Sequence, residues 1–498
     1  MEPGTFLSTG LAAAFTIPHL LCGAIGCLLG TLVGVLPGVG PATAIAMLLP
    51  ATQALSPLST LILLAGVYCG AQYGGSTPAI LANLPGQASA APAAADGYQL
   101  ALQGRGGAAL AVAALASFFA GCFGVALLAG LAAPLAALAL RFGPTEQFSL
   151  AVLGLAGVVA LASGSLLKAL ATLVLGMLLG LAGAQSDFGA GRFDFDRPEF
   201  AGGIGFAALA LGLYGNGELI ARMSQPVQAP EAYGGSLGSA WPARQDWHDM
   251  APAVLRGTAW GSLLGLVPGG GALLAAFAAH AFERRAAARP GELPFGRGNV
   301  RAVAAPESAN NAGAQSAFLP LLALGIPPNA VMALIGGALA LRGLAPGPAA
   351  IAGDAGLVAA LALSMWLGNA LLLLLNLPLA GVAGGPGLWR RLLRLPERLL
   401  LPALIVVCAL GALLLRGELF DLWIVTGFGA LGFAFSLLRI DPAPLLLGFV
   451  MAPGMERNLR AALPIAGGSW RVFVTSPVSA LLLAVAVLVL GLALVPRR

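Results

Sequence analysis

The stretch "PESANN", Pro306 to Asn311, sets a carboxylate, a hydroxyl and two amides side by side at the edge of a long apolar run. An isolated charge at Glu307 would be costly there, so it needs a partner or water. Ser308, Asn310 and Asn311 add the donors and acceptors that suit a bound carboxylate or the oxygen shell of a cation. Helix capping is the competing reading, with Ser308 or Asn310 as the cap and Glu307 near a helix start. A second polar group lies in "YGGSTPAILANLPG", residues 73–86. Here Ser76 and Thr77 offer hydroxyl donors, and Asn83 precedes a break at Pro85–Gly86. Asn83, Asn310 and Asn311 are the amides expected near a coupling-cation site.

The second kind of chemistry belongs to the backbone. "GTLVGVLPGVG" at 30–40 aligns without a gap with "GSLLGLVPGGG" at 261–271, 231 residues later. Pro37, Gly38 and Gly40 thereby face Pro268, Gly269 and Gly271. "GAQ" at 70–72 returns at 313–315, and Pro78 and Pro85 find counterparts in Pro320 and Pro327. Two motifs in the same order indicate duplicated halves. Proline removes a backbone donor, and glycine opens angles closed to other residues, so each motif ends a helix inside an apolar run. Lipid does not tolerate unpaired backbone groups, so such breaks must face protein or a watery cavity. Half-helix N-termini then present positive dipole ends to an anion, and freed carbonyls hold a cation. Thr43 falls just beyond the first break, at such an N-terminus, where ordinary capping is the alternative. Glycine and proline are common in membrane helices anyway, but two matched copies weaken that explanation.

The elements that must position these groups follow from composition. Of 498 residues, 58% are hydrophobic and only 9% charged, and the mean hydropathy is +0.90. Soluble domains carry roughly a quarter charged residues, so this chain cannot cover a water-facing surface. The expectation is an all-α polytopic membrane protein with about 10–14 membrane-embedded helical segments, since a crossing takes about 20 apolar residues. It comprises two homologous repeats with re-entrant or discontinuous helices. Alternating strands of the membrane-barrel kind are missing from the sequence. The expected division is a first transmembrane repeat at 1–223, a polar connecting loop at 224–250, a second-repeat core at 251–386 and completing C-terminal helices at 387–498. Arginine-rich stretches 283–305 and 388–398 read as cytoplasmic loops, and the acidic stretch 185–202 as external.

The remaining ionisable residues say less. Lys168, Arg105, Arg256 and Arg342 lie in or beside apolar runs, where snorkelling or orientation is the first reading and substrate contact the second. Glu146 and Glu218 are candidates for ion coupling, with packing pairs or interfacial positions the preferred reading. His19, His248 and His280 are scattered. The five cysteines lie in apolar segments without a CxxC pair, as packing residues do. No dense basic run points to nucleic acid, and no cleaved signal peptide is expected, because the first residues hold no Lys or Arg.

Taken together, "GTLVGVLPGVGPATAIAMLLP", "GVYCGAQYGGSTPAILANLPG", "DGYQLALQGRGGAAL", "GPTEQFSLAVLGL", "SGSLLKAL", "GSLLGLVPGGGA" and "AAPESANNAGAQSAFLPLLALGIP" resemble the large membrane subunit of tripartite tricarboxylate transporters. The resemblance runs over essentially the whole chain. It implies a multi-pass protein of the bacterial cell inner membrane that works with a periplasmic solute-binding protein and a small four-helix membrane subunit. It implies uptake of citrate-like di- or tricarboxylates by alternating access, driven by an Na+ or H+ gradient, with no cofactor and no ATPase. Two positions depart from the family pattern: "GIPPN" replaces the expected glycine after Pro327, and Gln72 stands where an apolar residue is expected. Both bear on which carboxylate is recognised. Two other function classes stay open. One is a passive channel or membrane scaffold. The other is an intramembrane enzyme using Ser76 of "GGS", for which no histidine lies in a comparable polar motif.

Overall fold

Each glycine/proline motif ends a helix. The computed structural model describes residues 3–36, 39–183, 192, 203–225, 239, 241–286, 292–377, 397–416 and 419–494. In the first half, α1 (Pro3–Ala14) leads into α2 (Ile17–Val35), which stops at Leu36. Helix α3 (Pro41–Thr52) starts afresh beyond Gly40, and α4 (Pro57–Ala82) runs to a second break. Pro37 and Gly38 lie outside the described residues. Next come α5 (Ala91–Leu100), α6 (Gly106–Ala139), α7 (Pro144–Leu161) and α8 (Leu166–Gly180). Two short helices, α9 (Phe206–Ala210) and α10 (Gly217–Met223), are joined by a π-wound stretch at Leu211–Asn216.

The second half replays the first. Helix α11 (Arg244–Leu266) stops at Val267, and α12 (Ala272–Arg285) begins after Gly271. Helices α13 (Val300–Ser316) and α14 (Phe318–Leu324) then run to a break before α15 (Ala330–Leu341). The chain continues through α16 (Pro348–Gly353), α17 (Ala355–Leu377), α18 (Glu397–Arg416), α19 (Leu419–Leu438), α20 (Ala443–Ile465), α21 (Val472–Thr475) and α22 (Pro477–Leu494). Among the described residues there is no strand. Among the described residues, six helical stretches are long and apolar enough to cross a membrane, and four shorter apolar helices accompany them.

The duplication extends to individual hydrogen bonds. Val39 N–H reaches Leu36 O in the first copy, and Gly270 N–H reaches Val267 O in the second. Helices α4 and α14 end on left-handed residues, Asn83 at φ 55° and Gly325 at φ 73°. The next N–H in each case, from Leu84 or Ile326, returns 3.2 Å to the carbonyl of Pro78 or Pro320. Both halves thus close the helix end with the same bond, one residue wider than the 6→1 bond of a Schellman motif.

Glycine also decides how helices pair. Gly26, Gly30 and Gly34 of α2 lie on the carbonyls of Leu63, Val67 and Ala71 in α4; a Cβ at any of the three would land on those oxygens. Gly257, Gly261 and Gly265 of α11 lie likewise on Ala305, Ala309 and Gly313 of α13. These two pairs make the most extensive helix contacts in the protein. Small residues four apart let backbones approach this closely, which is how membrane helices associate without a hydrophobic drive.

The arginine-rich stretch 283–305 is not a plain loop. Arg301 is buried within α13, bonded to Glu283 at 2.7 Å and to Glu292 at 2.9 Å, and Arg256 pairs with the same Glu283. A buried charge survives only when paired, so Arg301 serves the interior here. Asp96 of α5 holds the segment before α13, accepting from the N–H groups of Gly296, Gly298 and Asn299 at 2.8–2.9 Å. Stretch 388–398 lies outside the described residues apart from the start of α18, as does 185–202 apart from Arg192.

Candidate functional site

The breaks meet at one cavity. It encloses about 980 Å³ and is lined by Gly40–Ala42, Pro85–Ser89, Gly269, Gly270, Ala272 and Pro328–Val331. All four interruptions, two from each half, therefore border the same space. Three helices begin on its wall: α3 after Gly40, α12 after Gly271 and α15 after Asn329. Each N-terminus leaves backbone N–H groups without intrahelical partners and carries the positive end of a helix dipole. Asn329 caps α15 by accepting from Met332 N–H at 3.0 Å. Gly269 N–H donates to Pro328 O at 2.7 Å, so the two second-half breaks are tied together.

Side chains add a sparse polar lining. Gln72 accepts from Gln87 Nε2 at 2.6 Å and from the Ser89 hydroxyl at 3.2 Å. Glu218 of α10 borders the cavity and accepts from the Thr43 hydroxyl, joining α10 to the first turn of α3. Asp441 is held by Ser163, through its N–H and hydroxyl, and by Ala443 N–H. Arg439 lines the same wall at φ 52°. Apolar groups complete it, among them Tyr68, Tyr214, Leu213 and Phe435.

The expected site residues divide between this cavity and a buried layer beside it. Gly40, Pro85, Gly86 and Gly269 line the cavity. Gly271, at φ 90°, abuts Asn329, and Pro268 packs against Gly157 behind the wall. Pro327 lies instead on a second cavity of about 340 Å³ with Gly325 and Ile326. Asn83 is exposed at the end of α4. Ser76, Thr77, Glu307, Ser308, Asn310 and Asn311 are all buried. Ser76 donates to Glu307 Oε2 at 2.6 Å, and Asn311 Nδ2 donates to the Ser117 hydroxyl at 2.7 Å.

The capping alternative for "PESANN" does not hold. Asn299 is the N-cap of α13, accepting from Arg301 and Ala302 N–H groups. Ser308 and Asn310 sit in mid-helix, where the Ser308 hydroxyl bonds back to Ala305 O at 2.9 Å. Arg105, Lys168, Glu146 and Arg342 do not line this cavity. Arg105 pairs with Asp246 at 2.6 Å, Lys168 donates to Leu438 O at 2.8 Å, Glu146 accepts from Ser476 at 2.6 Å, and Arg342 ends α15.

Sequence reasoning passed over Arg439, Asp441, Gln87, Ser89 and Asn329 as site residues. Gln87, Ser89 and Asn329 were within reach, since each lies at most three residues beyond a break motif already in hand. Arg439 and Asp441 follow a helix with no break motif, and only tertiary packing brings them to the cavity.

An all-helical membrane protein whose broken helices close on one cavity has an architecture that suits a transporter. The sequence profile of the tripartite tricarboxylate transporter TctA family matches residues 20–447, and the chain belongs to that family. It is 48% identical over 490 residues, 98% of this chain and 96% of the relative, to an Agrobacterium vitis protein described as "Uncharacterized 52.8 kDa protein in TAR-I ttuC' 3'region". A second Agrobacterium vitis protein, "Uncharacterized protein in TAR-II ttuC' 3'region", is 45% identical over 236 residues, 47% of this chain and 94% of its own. No solved structure matches the chain. Family membership makes the protein a membrane component of a tricarboxylate transport system.

Proposed function

We propose that this chain is the permease of an ion-gradient-driven importer of citrate-like di- or tricarboxylates in the bacterial inner membrane. A periplasmic binding protein delivers the substrate, and a small four-helix membrane subunit completes the complex. The observation that carries this reading is the convergence of three half-helix N-termini, α3, α12 and α15, on one cavity. Backbone amides and dipole ends favour an anion there without a fixed side-chain charge. Arg439 supplies one guanidinium for a carboxylate, and Gln87, Ser89 and Asn329 supply neutral donors. Glu218 and Asp441 would repel an anion entering alone. A co-transported cation or proton offsets that repulsion, which gives the gradient its purchase on the substrate. Alternating access then exposes the cavity to each side in turn.

The test is uptake into proteoliposomes holding the chain with its small subunit. Labelled di- and tricarboxylates are presented with the binding protein under an imposed Na+ or H+ gradient. Accumulation that requires both the gradient and the binding protein is expected. Equilibration that needs neither would identify a passive channel, and chemical conversion of the solute in detergent would identify an enzyme.

A further inference from the structure

Glu307 poses a problem that the cavity does not solve. It is 1% exposed, in the middle of α13, and among the described residues no basic side chain pairs with it. One carboxylate oxygen accepts from Ser76 at 2.6 Å. The other, Oε1, has no partner. One turn further along the same face, both side-chain atoms of Asn310 lack partners although the residue is fully buried. Asn311 spends its amide on the Ser117 hydroxyl and Glu307 O, which leaves its own Oδ1 without a donor. A few buried unsatisfied groups are normal in a protein, but each costs free energy and calls for an explanation. Three unsatisfied acceptors within two turns of one helix call for a single one.

Their spacing supplies it. Residues three and four apart lie on one helix face, so Glu307, Asn310 and Asn311 present one acidic and two amide oxygens together. The walls add more oxygen. Ser76 of α4 and Ser117 of α6 bond directly to this face, Ser76 to Glu307 and Ser117 to Asn311. A proton on Glu307 would satisfy one of these oxygens and leave the amides as they are. A dehydrated cation satisfies several at once. Among the described residues no cluster of three His, Cys, Asp or Glu side chains is present, and one carboxylate with neutral oxygens matches a hard monovalent ion better than a divalent or transition metal.

We propose that the Glu307–Asn310–Asn311 face of α13, closed by Ser76 and Ser117, binds a sodium ion. The site joins the halves of the duplicated core, because Ser76 belongs to the first half and Glu307 to the second. Its part in transport rests on the carboxylate-import reading above, as the place where the gradient acts. Its existence as an ion site does not.

The experiment therefore omits carboxylate. Thermal unfolding of the full chain in detergent is followed at constant pH and ionic strength while sodium chloride replaces choline chloride. The expected result is a saturable rise in Tm of a few degrees. Glu307→Gln, which keeps the shape and removes the charge, loses the rise. Ser76→Ala removes the hydroxyl that orients the carboxylate and needs roughly tenfold more sodium for the same rise. Should Glu307→Gln elute as aggregate, Asn310→Leu, close in size and without oxygen, takes its place. A sodium response that survives undiminished in whichever of these variants folds would put the ion elsewhere and overturn the proposal. No response in the unaltered protein, or stabilisation by lowered pH alone, overturns it equally. A normal sodium response in a protein that imports no carboxylate would count against the transport reading and leave the ion site standing.

Discussion

Arg439 occupies the turn between α19 and α20 at φ 52°, a conformation that most side chains avoid. The residue borders the cavity where the half-helix N-termini meet. Replacing it with Gln should raise the KM for carboxylate uptake roughly 10- to 100-fold, the usual worth of a charge-assisted bond. Arg439→Gly removes the same charge but suits the left-handed backbone. It should match Arg439→Gln in uptake while unfolding at the same temperature as the unaltered protein or higher. Equal KM in all three proteins would take Arg439 out of the site. Nothing in the sequence distinguished this residue among 25 lysines and arginines, because its role depends on which wall it reaches. Glu218 shows the opposite case. Its chemistry was visible in the sequence, but packing was the preferred reading, and only the Thr43 bond at the mouth of α3 ties it to a break. The buried Asn310 was legible as unusual and illegible as to depth, since an amide at the edge of an apolar run reads equally as a cap.

At the scale of elements, the interruptions were the most legible feature. Proline and glycine act locally, so the motifs at 36–40, 83–87, 267–271 and 325–329 ended helices wherever the rest of the chain folded. The close pairing of helices was legible in principle and passed over. Gly26, Gly30 and Gly34 match Gly257, Gly261 and Gly265 at the same offset as the breaks, a spacing that signals backbone contact. Gly30→Ala or Gly261→Ala forces a methyl onto the carbonyl of Val67 or Ala309 and should cost about 1–3 kcal/mol, as overpacking does. Thermal unfolding in detergent reads this directly. Gly130→Ala and Gly427→Ala, where an added methyl meets nothing within 4 Å, are the controls and should leave Tm unchanged. If all four variants unfold alike, the glycines are incidental.

Over the whole molecule, the two halves are joined by polar contacts that no motif could pair in advance. Asp96 lies in the first half, and the three N–H groups it accepts belong to the segment that launches α13 in the second. Asp96→Ala strands those donors at about 1–3 kcal/mol. Trypsin should then cut after the exposed Arg297 several times faster than in the unaltered protein; an unchanged rate would mean that the segment is held by other contacts, such as Asn299 to Leu293 O at 2.6 Å. The glycine-lined pairs have a mechanical consequence. Rolling α2 on α4 by one residue would drive Leu29 or Thr31 into main-chain oxygen, and the same holds for α11 on α13. Each pair is thus a stiff strut that turns as one piece. Bending is left to the short stretches beyond the ends of α2 and α11, and these border the cavity itself through Gly40, Gly269 and Gly270, so any swing of a strut reshapes the cavity wall without an intervening lever.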